Sequence, residues 1–107
     1  MSLLHEIELP YYAVIFTSIK SDLEDEYYHE ISDELEELAK EVDGYLGIES
    51  CRNEIGITVS YWKTMNAIAE WRNNWKHIEA KEKGREKWYE SYTIRIALVE
   101  KHYSFNK

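Results

Sequence analysis

The sequence predicts an α+β fold of order β-α-β-β-α-β, in which a four-stranded antiparallel sheet carries two helices on one face. Short apolar runs with high β propensity mark four strands, and two segments with apolar residues at steps of three and four mark helices. The chain has 107 residues, enough for one hydrophobic core. We therefore expect a single ferredoxin-like domain at 10–105, preceded by a short lead-in at 1–9.

The first strand is expected to begin after the single proline and to run from Tyr11 to about Ile19. It is apolar at odd and even positions alike, which is typical of a strand covered on both faces. A helix is expected next, because Ser21 and Glu24 have the spacing of a capping box and Gly44 can end it. Opposite its apolar stripe lies a face rich in Asp and Glu, which we interpret as solvated.

Two strands, at 45–52 and 57–62, are expected to form a hairpin through an Asn- and Gly-containing connection. Thr64 can cap a second helix, with a break expected near Gly84. The last strand is expected at about 92–105. The apolar stripe of the second helix consists of Ile68, Trp71, Trp75 and Ile78.

A sheet with both helices on one face leaves the other face bare, and here that face is expected to be too apolar for water. The simplest solution is a homodimer in which two such faces pack together. The long last strand could then extend onto the partner subunit. The residues expected on this face are Ala13, Ile15, Ile57, Val59, Ile94 and Ile96.

Composition excludes several classes of partner. The formal net charge of −8 argues against nucleic acid or an anionic membrane surface, and the apolar runs are too short to cross a bilayer. Cys51, the single cysteine, favours a reducing cytoplasm. No zinc-binding spacing and no glycine-rich phosphate loop occurs, so neither a metal nor a nucleotide cofactor is expected. The aromatic fraction of 14% indicates a lined pocket or a second burial surface.

Four segments carry a resemblance to a known family: 44–50, 56–62, 67–72 and 77–80. Together they resemble the antibiotic biosynthesis monooxygenase domain family, whose members are small dimeric α+β barrels. The continuation at 84–89 is similar to an uncharacterised bacterial branch of it. The resemblance implies a pocket between helices and sheet, where some members oxidise phenolic or polycyclic compounds without a cofactor and others cleave haem.

The haem-degrading branch is disfavoured by the residues that would be needed. Its members use an Asn on the first strand, a Trp near the third and a His late in the second helix. This chain offers Thr17 and Ser18 on the first strand, Trp62 near the Trp position, and Lys81 where the ligand His would fall. Haem therefore stays a disfavoured alternative, and we expect no bound cofactor.

The candidate catalytic residue is His77, since imidazole suits proton transfer near neutral pH and deprotonation activates a phenol toward oxygen. His77, Lys81, Arg85 and Trp88 follow steps of four, four and three, which would place them on one face of a continuous helix. Arg85 can bind a carboxylate or phenolate. In the alternative, His77 hydrogen-bonds within the fold and Arg85 pairs with a neighbouring acid. The candidate substrate-binding residues are Arg85, Trp88, Tyr61, Trp62 and Trp75.

Two classes of function follow. The first is a small monooxygenase-like enzyme acting on an aromatic or hydrophobic molecule, with His77 as its base. The second is a dimer of the same fold that binds a small ligand or a partner without chemistry. The sequence leaves both open, as well as the core-packing role of Trp71 and Trp75.

Overall fold

The computed structural model describes residues 7–20, 25–81 and 89–107, with helix side chains described at 32–40 and 65–76. Its elements are β1 (Tyr11–Lys20), α1 (Asp25–Lys40), β2 (Tyr45–Arg52), β3 (Gly56–Trp62), α2 (Met65–Lys81) and β4 (Tyr89–Val99). The strands form one antiparallel sheet in the order β2-β3-β1-β4. The predicted fold class is confirmed. The expected capping box at 21–24 and the break near Gly84 lie outside the described residues.

The apolar stripe of α1 packs toward the sheet, as its helical spacing predicts. Leu35 and Ala39 are buried, and Val42 continues the buried stripe just after the helix. The indole N–H of Trp71 on α2 donates to the backbone oxygen of Leu35 at 3.3 Å. This hydrogen bond joins the two helices directly above the sheet.

The start of α2 is fixed by its expected cap. The backbone N–H of Ala67 donates to Thr64 Oγ1 at 3.1 Å, and Ile68 and Trp75 are buried. Gly44 has a φ of +103°, and a Cβ there would lie 3.0 Å from the Cβ of Ala67. The turn after α1 therefore requires glycine both for its backbone conformation and for the close approach of α2.

Strand register decides which residues share a face, and it corrects one expectation. Phe16 lies opposite Ile94, and Val14 lies opposite Ile96. Residues directly opposite one another on paired strands point to the same face, and Val14 and Phe16 belong to the buried core beneath the helices. The assignment of Ile94 and Ile96 to the bare face is therefore wrong: Ile94 packs against the core, and Ile96 is exposed on the helix side.

The last strand begins earlier and ends earlier than predicted. Its final pair joins Val99 to Tyr11, the first residue of β1. The last strand therefore ends opposite the start of the strand with which it pairs. The expected continuation to Phe105 is wrong for the single chain. Beyond the strand, the hydroxyl of Tyr11 lies 2.8 Å from His102 Nδ1. Further along, Tyr103 is 88% exposed and Phe105 is 82% exposed.

The sheet face away from the helices, here called the open face, includes Ile15, Ile57, Val59 and Tyr61. Ile57 is 47% exposed, and Ile15, Val59 and Tyr61 are half-buried. Large apolar side chains thus meet solvent on a flat surface of the single chain. In the described part of the chain, neither helix combines the length and apolar character that crossing a bilayer requires.

Candidate functional site

A cavity of about 120 Å³ lies between the helices and the sheet. Both helices and all four strands contribute to its wall, so the site depends on the complete fold. An engineered apolar cavity of about 150 Å³ accepts benzene, and this cavity is therefore of the size that holds one six-membered ring. Its lining residues are Val14, Phe16, Ser32, Leu35, Glu36, Ala39, Ile48, Ser50, Thr58, Ser60, Trp62, Trp71, Trp75 and Tyr89.

One wall of the cavity is a continuous series of aromatic rings. The ring centroids of Trp62 and Trp71 are 5.7 Å apart, and those of Trp71 and Trp75 are 5.1 Å apart. Phe16 lies 5.1 Å from Trp75 and 5.2 Å from Tyr89. These distances fall within the favourable range for aromatic pairs. The wall therefore consists of rings that support one another, of which half-buried Trp71 and Tyr89 have the most accessible surface.

The three tryptophans of this wall differ in the partners of their indole N–H groups. Trp62 donates to Ser60 Oγ at 2.8 Å, and Trp71 donates to the Leu35 backbone, as described above. Trp75 is only 3% exposed, yet its N–H has no acceptor among the described residues. A buried donor without an acceptor costs about 1–3 kcal/mol. Trp75 is therefore the tryptophan of this wall whose indole N–H is not satisfied within the described residues.

The sheet contributes a strip of hydroxyl groups to the cavity. Ser50 on β2 lies opposite Thr58 on β3, and Ser60 follows two residues later on the same face. Because alternate residues of a strand share a face, Thr58, Ser60 and Trp62 all project toward the helices. The cavity thus combines aromatic walls with a polar floor that can bind oxygen atoms of a ligand.

Exposure of the lining residues locates the mouth of the cavity. Ser32 and Ser50 are exposed, whereas Val14 and Trp62 are buried, so the cavity opens between α1 and β2. Half-buried Glu36 lies on α1 at the same side. Burial first, and then the negative charge of Glu36, raises the pKa of the nearby Tyr45. The carboxylate at the mouth therefore has an electrostatic influence on the neighbouring side chains.

Comparison with known proteins assigns the family. Residues 10–83, more than two thirds of the chain, match the family described as antibiotic biosynthesis monooxygenase. The chain belongs to the antibiotic biosynthesis monooxygenase family. The resemblance seen in the sequence is thereby confirmed.

One relative of this chain is the uncharacterized protein YqjZ of Bacillus subtilis (strain 168). It is 49% identical over 102 residues, which cover 94% of this chain and 89% of YqjZ. Solved structures with the same fold include NE2512, a protein of unknown function from Nitrosomonas europaea, with a TM-score of 0.68 and 8% identity over 92% of this chain and 98% of that one. Another is Rv0793 from Mycobacterium tuberculosis, with a TM-score of 0.64 and 10% identity over 91% and 99% of the two chains. At such low identity, these structures establish the fold alone.

The predicted site residues do not all lie at the cavity. Trp62 and Trp75 line the cavity, as expected. His77 belongs to α2 and follows Trp75 by two residues, which is about 200° around a helix axis. Arg85 and Trp88 lie outside the described residues, as does the side chain of His77. Their proposed roles stay predictions.

Tyr61, the remaining predicted substrate-binding residue, lies on the open face of the sheet and does not line the cavity. Its hydroxyl donates to Glu49 Oε1 at 2.7 Å, and its ring packs edge-on against Tyr11 at 5.7 Å. Burial and the hydrogen bond to Glu49 raise the pKa of Tyr61 to about 12. Tyr61 is thus a neutral hydrogen-bond donor within the open face at any ordinary pH.

Sequence reasoning missed the polar part of the cavity. The hydroxyl strip was detectable, because Thr58 and Ser60 alternate with open-face residues and share the face of Trp62. Glu36 was not detectable, since it resembles the other acids of α1 in type and spacing. Only its place in the lining separates it from Glu34 and Glu37, which are exposed and do not line the cavity.

Proposed function

We propose that this protein is a small monooxygenase that oxidises a single-ring aromatic compound, such as a phenol, without a nucleotide cofactor. The observation that carries the proposal is the cavity itself, which combines aromatic walls, hydroxyl groups and a volume suited to one ring. Membership of the antibiotic biosynthesis monooxygenase family supports the reaction class. The proposed substrate would supply all the electrons for the reaction.

The chemistry balances without an external reductant. A phenol first loses its hydroxyl proton, and the electron-rich phenolate then reacts with O₂. Overall, phenol and O₂ give a quinone and water, with one oxygen atom of O₂ in the product and the other in the water. Contact with the aromatic wall would orient the ring.

Two residues are candidates for the group that accepts the proton of the phenol. His77 is the candidate from the sequence, and Glu36 is the carboxylate in the cavity lining. Arg85 is retained as a candidate for binding the phenolate. An imidazole or a carboxylate can each take a proton when it lies within hydrogen-bond reach of the substrate.

The test is oxygen consumption with a panel of single-ring phenols, followed by mass spectrometry of products formed under ¹⁸O₂. We expect uptake of O₂ and one labelled oxygen atom per product. Loss of turnover in His77→Gln with a nearly unchanged unfolding temperature would identify His77 as the proton acceptor, and the same result in Glu36→Gln would identify Glu36. His102→Gln, which alters a histidine next to Tyr11 and away from the cavity, is the matched control and should retain activity.

The alternative function is a dimer that binds a small ligand without chemistry. Phenols that bind in the cavity without oxygen uptake would establish that alternative. Equal loss of activity in both histidine variants would instead remove His77 from its catalytic role. Haem degradation stays the disfavoured alternative, because the first strand offers Thr17 and Ser18 where that branch uses an Asn, and Lys81 falls where it uses a His.

We also propose that the protein is a homodimer that forms through the open face and works in the cytoplasm. Exposed Ile57 and half-buried Ile15 and Val59 support this arrangement, since packing against a second copy would remove them from water. The exposed Tyr103 and Phe105 beyond β4 are available to contact the same partner. Exposed Cys51 suits a reducing compartment.

A further inference from the structure

The cavity has a carboxylate at its mouth in addition to its aromatic wall. Its mouth lies between α1 and β2, where exposed Ser32 and Ser50 flank half-buried Glu36. No hydrogen bond or ion pair to the Glu36 carboxylate occurs within the described part of the chain. An unpaired, partly desolvated carboxylate attracts a cation more strongly than a fully solvated one does.

Two basic side chains of the described residues lie near the cavity, and neither forms an ion pair with Glu36. Lys40, one turn further along α1, pairs with Glu37 at 3.1 Å. Arg72 lies with its Cζ 5.3 Å from the centre of the Trp75 ring but does not line the cavity. Among the described lining residues, Glu36 is the only Asp, Glu, Lys, Arg or His.

The aromatic wall also favours a cation. Trp71, which is half-buried and lines the cavity, presents ring surface that attracts positive charge in addition to packing against an apolar ring. The net charge of −8 adds a general repulsion of anions. The interior further offers the hydroxyl of Thr58 to an oxygen atom on the far side of a ring.

We infer that the cavity selects a single-ring aromatic amine, with the ring against the tryptophan wall and the ammonium group at the mouth beside Glu36. This inference rests on the proposed function for the site and specifies its substrate class. It predicts that cationic ligands bind more tightly than neutral ligands of the same shape, and that anionic ligands bind most weakly.

The test uses three probes that share a phenol ring and a two-carbon arm: tyramine, 4-(2-hydroxyethyl)phenol and 3-(4-hydroxyphenyl)propanoate. Binding is measured by titration while the tryptophan indole N–H signals are followed by ¹⁵N-resolved NMR. We expect the affinity order cation, neutral, anion, with the signals of Trp62, Trp71 and Trp75 shifting on binding.

Two variants separate the local carboxylate from the overall charge. Glu36→Gln should weaken tyramine binding about five- to tenfold, between the effects of an exposed and a desolvated charge. It should leave 4-(2-hydroxyethyl)phenol binding nearly unchanged. Glu34→Gln changes the net charge equally at an exposed position outside the cavity and should alter tyramine binding less than twofold.

Equal effects of the two variants on tyramine would overturn the inference, as would tighter binding of the propanoate or no binding of any probe. Because the readout is binding, it stays separate from turnover. Charge-selective binding without oxygen uptake would refute the proposed enzyme and leave this inference standing. Oxygen uptake with equal affinity for all three probes would support the proposed enzyme and overturn this inference.

Discussion

The unpartnered N–H of Trp75 leads to a prediction that compares two neighbouring tryptophans. Trp71→Phe and Trp75→Phe remove the same part of an indole ring from the same wall of the cavity. Each substitution should lower the free energy of unfolding by about 1–2 kcal/mol through lost packing, which includes the apolar area removed and the cavity left behind. The two substitutions differ in the hydrogen bond. Trp71 donates to Leu35, whereas Trp75 has no acceptor among the described residues.

The difference sets the expected order of stability. Trp71→Phe also loses a hydrogen bond worth about 1 kcal/mol, so its free energy of unfolding should fall by about 2–3 kcal/mol. Trp75→Phe removes a buried donor whose isolation costs about 1–3 kcal/mol, so its net loss should be about 1 kcal/mol or less. The greater burial of Trp75 acts against this order and narrows the gap to about 1 kcal/mol.

Urea unfolding followed by far-UV circular dichroism measures both values without relying on tryptophan fluorescence. Protein concentration is held constant, because dimerisation would otherwise change the apparent stability. A loss in Trp75→Phe equal to or larger than that in Trp71→Phe would refute the reasoning. It would mean that the Trp75 N–H has an acceptor within the fold.

Two further predictions concern the open face. Ile57→Glu should convert the proposed dimer to monomers in sedimentation velocity, whereas Ile55→Glu, at a 54% exposed position in the hairpin turn, should not; a monomeric parent protein would contradict the dimer. The pKa of Tyr61 in the folded protein is about 12, above the ordinary value of 10. The neutral phenol therefore stabilises the fold below pH 10, and this contribution to stability is lost as the pH rises toward 12. Since Tyr61 is partly exposed, the stability advantage over Tyr61→Phe should shrink by only about 1 kcal/mol between pH 9 and 11 in urea unfolding, and a constant difference would contradict the cause assigned to the shift.

Local patterns were sufficient to predict the elements of the fold, because each pattern has a direct structural cause. Thr64 caps α2 as its residue type predicts, and Gly44 adopts the positive φ for which glycine is suited. The hairpin between β2 and β3 likewise follows from its short connection. In each case, the residues that determine the feature lie within a few positions of one another.

Properties that depend on register could not be obtained in the same way. The alternation in β4 separates Ile94 and Ile96 from Ala97, but it does not tell which set faces the helices. That choice depends on the pairing of Phe16 with Ile94, which joins residues far apart in the chain. The end of β4 at Val99 has the same origin, since the strand stops where β1 offers no further partner.

The candidate site shows why membership of the family predicts the fold better than it predicts the substrate. Proteins with very low identity to this chain share its architecture, because alternating strands and striped helices can be built from many sequences. The character of the cavity depends instead on a few positions that those patterns leave free. Thr58 and Ser60 satisfy the strand alternation no better than alanine or valine would, and Glu36 satisfies the helix pattern no better than glutamine. These residues can therefore change without altering the fold, and the substrate must be sought through the side chains of this chain rather than through the reactions of its relatives.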